Sequence, residues 1–434
     1  MLQRKIDKTL LEWKNNPKKK SLVVDGARQV GKTFAIRHFG DKYYDELFYI
    51  NFKETPSAKE IFTGDLDVET LLFNFKLQNI NAKFIEGNTL IFLDEIQECE
   101  EAITSLKFFS IDGRFDVIAS GSMLGIDYKR ASSYPVGYVD NIKMYSLDFE
   151  EFLWSQGIDD SIISKVKEYY NNRTVVPDAI HNKFMNLFRL YIAIGGMPEV
   201  VWDFVQAKDM SSVDKIQRNL LHDYLYDIAH YAKAEEKIKA EKCYLSIAKQ
   251  LLDKENSKFQ YKEVEKGGRA QKYFTSIEWL TRANIVALSN SVTEVSYDLI
   301  DYAIESNFRA YVSDMSFIVA MRDYSFKQEI IQNSLKGNTK GGIYECVAAD
   351  ILNKKGYKLF FYRNETTKKE LDFIIQKKGN VIPIEIKGSN AKARSLNSII
   401  DKKVDIPLGY KFVDGNVGLE NKVLTLPLYM LMFM

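Results

Sequence analysis

Cysteine is scarce in this chain, and its placement excludes two classes of protein at once. The three residues Cys99, Cys243 and Cys346 are far apart in 434 positions, with no CxxC and no histidine pair beside them. That spacing argues against a disulfide framework and against a structural zinc site, and it fits a reducing cytoplasm. Histidine is nearly as scarce: His38, His181, His222 and His230 form neither HxxxH nor HExxH, so a zinc-hydrolase reading has no ligands. No apolar run reaches the roughly 18 residues of a membrane helix. The apolar tail Leu426–Met434 is half that length and interrupted by Pro427, and it reads as a closing strand. The opening MLQRKIDKTLLEWK alternates charged with apolar residues and lacks the apolar region of a signal peptide. Repeats and low-complexity tracts are absent. A soluble, cytoplasmic protein without a membrane partner is expected. Excess charge is lacking too: the net value of +1 argues neither for nor against a nucleic-acid partner.

What is present is the composition of a globular protein, 46% apolar and 27% charged. A chain of this length divides into two to four domains. After an amphipathic helix over 3–15, SLVVDG (21–26) reads as a buried strand that leads through a glycine loop into a helix. The apolar runs LFYINF (47–52), TLIFLDE (89–95) and FDVIASG (115–121) then alternate with helical stretches. Continuous apolar strands between helices predict a parallel sheet covered on both faces. A mostly helical stretch follows from about 146 to 290, broken at Gly195, Gly196 and Pro198, before a mixed pattern returns. Residues 336–434 hold 17 Lys and Arg against 10 Asp and Glu, a balance of +7 that leaves −6 for the rest. The basic end is where an anionic partner would be useful.

GARQVGKT, Gly26 to Thr33, fits GxxxxGK[ST] between a strand and a helix, the context that makes a phosphate loop credible. Gly26 and Gly31 permit backbone angles and approaches that a Cβ would block. Ala27, Arg28, Gln29 and Val30 lie between them, and their amides with the helix N-terminus present N–H groups to phosphates. Lys32 supplies a positive charge to the β- and γ-phosphates of ATP, and Thr33 a hydroxyl for Mg²⁺. In TLIFLDEIQ a buried strand delivers Asp94 to the sheet edge, where it holds Mg²⁺, while Glu95 orients and deprotonates the attacking water. The third strand ends in Ser120 and Ser122, either sensors of the γ-phosphate and water or ordinary turn serines. Arg28 and Arg130 are candidates for stabilising transition-state charge, weighed against plain surface arginines.

The stretches GARQVGKT, LIFLDEIQE, SGSMLG, SYPVGYV, YSLDFEEFLW and GGMPEVV, in that order, resemble a large bacterial and archaeal family of AAA-type ATPases. FRAYVSDMSFI, GGIYECVAADIL and LDFII…IPIEIK extend the resemblance over nearly the whole chain. It implies an N-terminal AAA module, ATP as substrate, and a C-terminal domain of uncharacterised role. It also leaves an oligomer open, since AAA-type sites are often completed by a neighbouring subunit. Many relatives carry Gly-Arg after the sensor strand. Here Gly137-Tyr138 stands instead, so no arginine finger is placed there.

A second constellation lies near the end. Glu345 falls on a predicted helix, Asp372 opens LDFII, a hairpin turn centred near 379 follows, and the return strand IPIEIK carries Glu385 and Lys387. Period-two alternation puts Glu385 and Lys387 on one face, and the hairpin brings Asp372 beside Glu385. Two carboxylates hold Mg²⁺ or Mn²⁺ through oxygen, and the lysine orients water or offsets developing charge. The set resembles the PD-(D/E)XK nuclease core, with Glu345 as the helical acid. An exposed charged hairpin and a nuclease-like fold kept only for docking are the competing readings. Between 241 and 290 the order of helix, short helix, helix and strand resembles a winged helix-turn-helix, with Arg269, Gln271 and Lys272 opening the recognition helix.

The expected architecture is a multidomain α/β chain. It has a parallel-sheet P-loop NTPase core of AAA or RecA type over 1–150, a helical region over 151–235, a winged-helix-like region over 236–330 and a nuclease-like α/β domain over 331–434. Two functional readings follow. One is an ATPase whose nucleotide state controls DNA binding or cleavage by the last domain. The other is a nucleotide-driven switch that docks a protein partner.

Overall fold

The computed structural model describes residues 1–121, 135–231, 236–252, 258–364, 366–389, 392–401 and 406–434. The chain forms two compact units, Gln3–Ser146 and Leu147–Met434, the latter joined by Met1–Leu2.

In the Gln3–Ser146 unit the elements are α1 (Lys5–Lys14), β1 (Ser21–Asp25), α2 (Lys32–Tyr43), β2 (Glu46–Asn51), α3 (Val68–Gln78), β3 (Thr89–Asp94), α4 (Glu100–Asp112), β4 (Asp116–Gly121) and β5 (Val139–Lys143). The strands make one parallel sheet in the order β2-β3-β4-β1-β5. Every residue of β3 and β4 is buried, as strands with covered faces require. Alternation along β3 decides what faces where. Ile91 and Leu93 enter the aromatic-rich cluster with Phe75 of α3 and Phe109 of α4. Phe92 turns the other way against Tyr49, and Asp94 follows it to meet Thr33 at the start of α2. Because β4 lies between β1 and β3, the carboxyl ends of all three strands border one crevice, the usual ligand position in such sheets.

The Leu147–Met434 unit begins with helices: α5 (Phe149–Ser155), α6 (Asp160–Asn172), α7 (Asp178–Ile194), α8 (Pro198–Ala207), α9 (Met210–Tyr231), α10 (Lys237–Leu252), α11 (Tyr261–Val264) and α12 (Ala270–Arg282). It continues with β6 (Val286–Val292), β7 (Ala303–Val312), α13 (Met315–Ala320), α14 (Tyr324–Ile331), α15 (Gly337–Lys354), β8 (Leu359–Arg363), β9 (Glu370–Lys377), β10 (Asn380–Lys387), α16 (Arg394–Ile400), β11 (Gly409–Val413), β12 (Gly418–Glu420) and β13 (Val423–Pro427). The eight strands form one mixed sheet, β12-β13-β11-β10-β9-β8-β6-β7. Strand β6 pairs in parallel with β8, so the strand read as the end of a winged-helix region shares a sheet with strands beyond residue 331. The β9–β10 turn sits at Lys378 and Gly379, whose φ values of 48° and 79° suit a two-residue type I′ hairpin. The tail departs from its expected single strand: β13 stops at Pro427, and Leu428–Phe433 coils into a 3₁₀ helix.

A buried polar knot organises this unit. Lys354, 1% exposed at its side chain, donates to the carboxylates of Asp314 (3.1 Å) and Asp350 (2.9 Å) and to the carbonyl of Leu147 (3.1 Å). The Gly196 amide donates to both Asp314 oxygens, at 3.1 and 3.0 Å. A Cβ on Gly196 would collide with the Leu147 carbonyl, which accounts for the glycine in GGMP.

Candidate active site

The phosphate loop closes between β1 and α2 by turning through two left-handed residues, Gln29 (φ 58°) and Gly31 (φ 94°). Gly26 passes so close to the Met144 carbonyl oxygen that a Cβ there would overlap it. Ala27 and Val30 are buried, Arg28 is half-buried and Gln29 is exposed. Lys32 is folded inward, its Nζ donating to the carbonyls of Gly26 (2.9 Å) and Ala27 (2.8 Å). Burial lowers its pKa, while Glu95, Asp25 and Asp94 act to restore it and nearby Arg28 opposes them. An ammonium in a loop of backbone donors, with no room for a Cβ at Gly26, suits a phosphate chain.

Asp94 is the hub of the acidic side. It is 1% exposed and accepts five hydrogen bonds. Its Oδ2 accepts from Thr33 Oγ1 (2.8 Å), Tyr49 Oη (3.2 Å) and Asn51 Nδ2 (3.2 Å). Its Oδ1 accepts from Ser120 Oγ and from the Glu95 amide (3.1 Å). The parallel register sets Asn51 opposite Asp94 and Tyr49 opposite Phe92. Thr33 and Asp94 are thus brought together, and their oxygens could hold a Mg²⁺ ion. Glu95 adopts left-handed backbone angles (φ 53°), and its carboxylate accepts from Gln97 Nε2 at 2.5 Å. Ser122 and Arg130 lie outside the described residues.

Sequence reasoning did not single out Tyr49, Asn51 or Gln97. The signal available for the first two was a polar pair at the end of the apolar run LFYINF. Gln97 lay inside the quoted motif without a role. Ser120 was named, and its contact with Asp94 follows from β4 lying beside β3.

The C-terminal acids share a charged neighbour, since Arg309 feels both Glu345 and Asp372. Asp372 Oδ2 accepts from the Ile386 amide (2.7 Å), and Lys387 Nζ is 2.6 Å from Glu385 Oε1. Glu385 is 4% exposed, and burial raises its pKa against the pull of Lys387, with Asp372 adding to the rise. Glu345 accepts two hydrogen bonds on Oε1, from Arg309 Nη1 (3.0 Å) and Tyr311 Oη (2.7 Å). Arg309, itself 6% exposed, also pairs with Glu370. Among the described residues no group of three or more His, Cys, Asp or Glu is arranged to hold a metal ion. Nor is any described helix long and apolar enough to cross a membrane.

Residues 18–153 match the AAA domain family. Residues 185–328 and 340–429 match two domains of unknown function, DUF8612 and DUF4143. None of the curated proteins compared with the chain matches it. Among solved structures, ORC1 of Aeropyrum pernix in complex with DNA is similar at 11% identity and a TM-score of 0.28, over 76% of this chain and 91% of that one. Cdc6p of Pyrobaculum aerophilum is similar at 14% identity and a TM-score of 0.23, over 76% and 93%. Drosophila ORC bound to DNA is similar at 13% identity and a TM-score of 0.26, over 75% and 93%. Likenesses this weak decide nothing about the chain. The AAA match spans the phosphate loop and the acidic strand end of the parallel sheet, and the DUF4143 match follows farther along. The chain carries an AAA-type ATPase domain over residues 18–153 and a DUF4143 domain over residues 340–429.

Proposed function

We propose that Gly26–Thr33 and Asp94–Glu95 form a Mg²⁺-dependent ATP-hydrolysing site whose nucleotide state controls DNA binding or cleavage by the C-terminal domain. The observation that carries the first half is the 2.8 Å bond from Thr33 to Asp94, which joins the phosphate loop to the acidic strand end. When bound, Mg²⁺ would neutralise charge on the β- and γ-phosphate oxygens. Thr33 donates its proton to Asp94 and so keeps a hydroxyl lone pair for the metal. Lys32 exchanges the two loop carbonyls for phosphate oxygens. Glu95 takes a proton from the attacking water once Gln97 releases it. Three buried thiols support a reducing, cytoplasmic setting.

For the C-terminal half the nuclease reading rests on Asp372, Glu385 and Lys387, whose carboxylates would hold a Mg²⁺ or Mn²⁺ ion that activates water. The basic balance of residues 336–434 supports DNA as the partner, and Arg269 and Gln271 at the start of α12 would be candidate contacts, whereas Lys272 pairs with Glu265 at 2.8 Å. The second reading, a switch that docks a protein through a non-cutting fold, is favoured by the commitment of Glu345 to Arg309 and Tyr311. The test is cleavage of supercoiled and branched DNA in Mg²⁺ and Mn²⁺, with and without ATP, for wild type, Asp372→Ala and Lys32→Ala. Cutting abolished by Asp372→Ala supports the nuclease. Absence of cutting, with ATP turnover intact and unaffected by DNA, supports the docking switch. Loss of turnover in Lys32→Ala supports the assignment of the loop.

A further inference from the structure

The face of the sheet behind Asp94 holds a group that the hydrolytic reading leaves unused. Tyr49 lies on β2, the edge strand, in the row that alternation sends toward α2. Its hydroxyl donates to Asp94 Oδ2 at 3.2 Å and accepts from Asn51 Nδ2 at 3.3 Å. The oxygen it reaches is the one that Thr33 reaches from α2. Two contacts hold the ring. Phe92 packs against it with centroids 5.2 Å apart, and the Arg37 guanidinium lies 4.9 Å from the ring centroid. Arg37 follows Thr33 by four residues on α2, so the two side chains share one helix face. Helix α2 therefore meets the β2–β3 edge twice, through Thr33 on Asp94 and through Arg37 on Tyr49.

We infer that Tyr49 is a positioning residue for the Mg²⁺ side of the site, with Arg37 holding its ring. The inference rests on the reading that Thr33 and Asp94 hold the metal. A carboxylate on a strand end has a free χ2 rotation, and only the orientation seen here presents Oδ2 to Thr33. The Tyr49 hydroxyl and the Asn51 amide approach that oxygen from the β2 side and remove the alternatives. Without the hydroxyl, Asn51 and Thr33 still donate, but the carboxylate is less confined and Asn51 loses its second partner. Hydrogen bonds behind a metal's partner residues are worth roughly ten- to a hundredfold in metal affinity.

The experiment uses the full chain and a fluorescent ATP analogue, titrated in EDTA and then at increasing Mg²⁺. Tyr49→Phe keeps the ring for Arg37 and Phe92 and removes only the hydroxyl. The expected result is unchanged affinity in EDTA and a rise of about tenfold in the Mg²⁺ concentration that half-maximally strengthens binding. Arg37→Met shifts it the same way by about threefold, since cation–π contacts are weaker than bonds to a carboxylate. A Tyr49→Phe protein whose Mg²⁺ dependence stays within twofold of wild type overturns the inference, provided Asp94→Asn shifts it. Unchanged Mg²⁺ dependence in Asp94→Asn as well overturns the metal reading beneath it. Weaker binding of Tyr49→Phe in EDTA, with no Mg²⁺ effect, shows a role in the fold alone and also overturns the inference.

Discussion

Replacement of Asp94 by asparagine tests the site at its hub, because the structure fixes which donors the new amide must meet. The carboxylate accepts on both oxygens, and the amide can accept on only one. With the amide oxygen toward Thr33, Tyr49 and Asn51, the NH₂ faces Ser120, which can turn and accept, and the Glu95 N–H, which cannot. The reverse orientation sets the NH₂ against Asn51, whose own oxygen already accepts from the amides of Lys53 and Glu54, both at 3.0 Å. Either orientation leaves one buried donor facing another donor. Such a mismatch costs about 2 kcal/mol, which lowers the melting temperature of a unit this size by roughly 4–8 °C. Alanine abandons all five donors and must cost more. Turnover falls further than stability, by about a hundredfold or more, because the negative charge on the metal side is gone. Thermal unfolding and phosphate release at saturating Mg²⁺ measure the two effects separately. Turnover within about fivefold of wild type, or an alanine variant as stable as the asparagine one, would refute the reasoning.

Other consequences can be measured alongside it. Gly26→Ala forces the loop away from the Met144 carbonyl, and a displacement near 1 Å at reacting groups costs about a hundredfold in rate. Steady-state ATP turnover at unchanged thermal stability of the rest of the chain checks this. Lys354→Met strands the Asp314 and Asp350 carboxylates in the interior and destabilises the Leu147–Met434 unit by about 3–5 kcal/mol, read by urea unfolding. Asp350→Leu in the same chain returns part of the loss. Asp414 supplies a pH test. Burial pushes its carboxyl up, but Arg189, at 2.8 Å, together with Lys340 and Asn333 outweighs it and holds the pKa below the usual carboxylate value. A depressed pKa contributes stability above the unfolded value of about 3.9 and loses it as pH falls through the folded one. Asp414→Asn is expected to cost about 3 kcal/mol at pH 7, a deficit that shrinks below about pH 4 in urea titrations.

By itself the sequence determined the elements that depend on local order. A glycine loop between an apolar strand and a helix, and an apolar run ending in Asp94-Glu95, have few other ways to fold. The turn at Lys378-Gly379 is equally local, because two left-handed residues between apolar runs suit a tight hairpin. Pairing across distance was decided only by the tertiary structure. Nothing in LFYINF says that its strand lies at the sheet edge beside β3, and only that neighbour relation turns Tyr49 and Asn51 toward Asp94. The partner of Glu345 was hidden for the same reason: Arg309 lies 36 positions earlier, on a strand whose place in the eight-stranded sheet depends on β6 pairing with β8. Periodicity reports which face of an element is apolar. Which charged group waits on the other side is set by packing between elements, and there the polar partners of Asp94 and Glu345 were chosen.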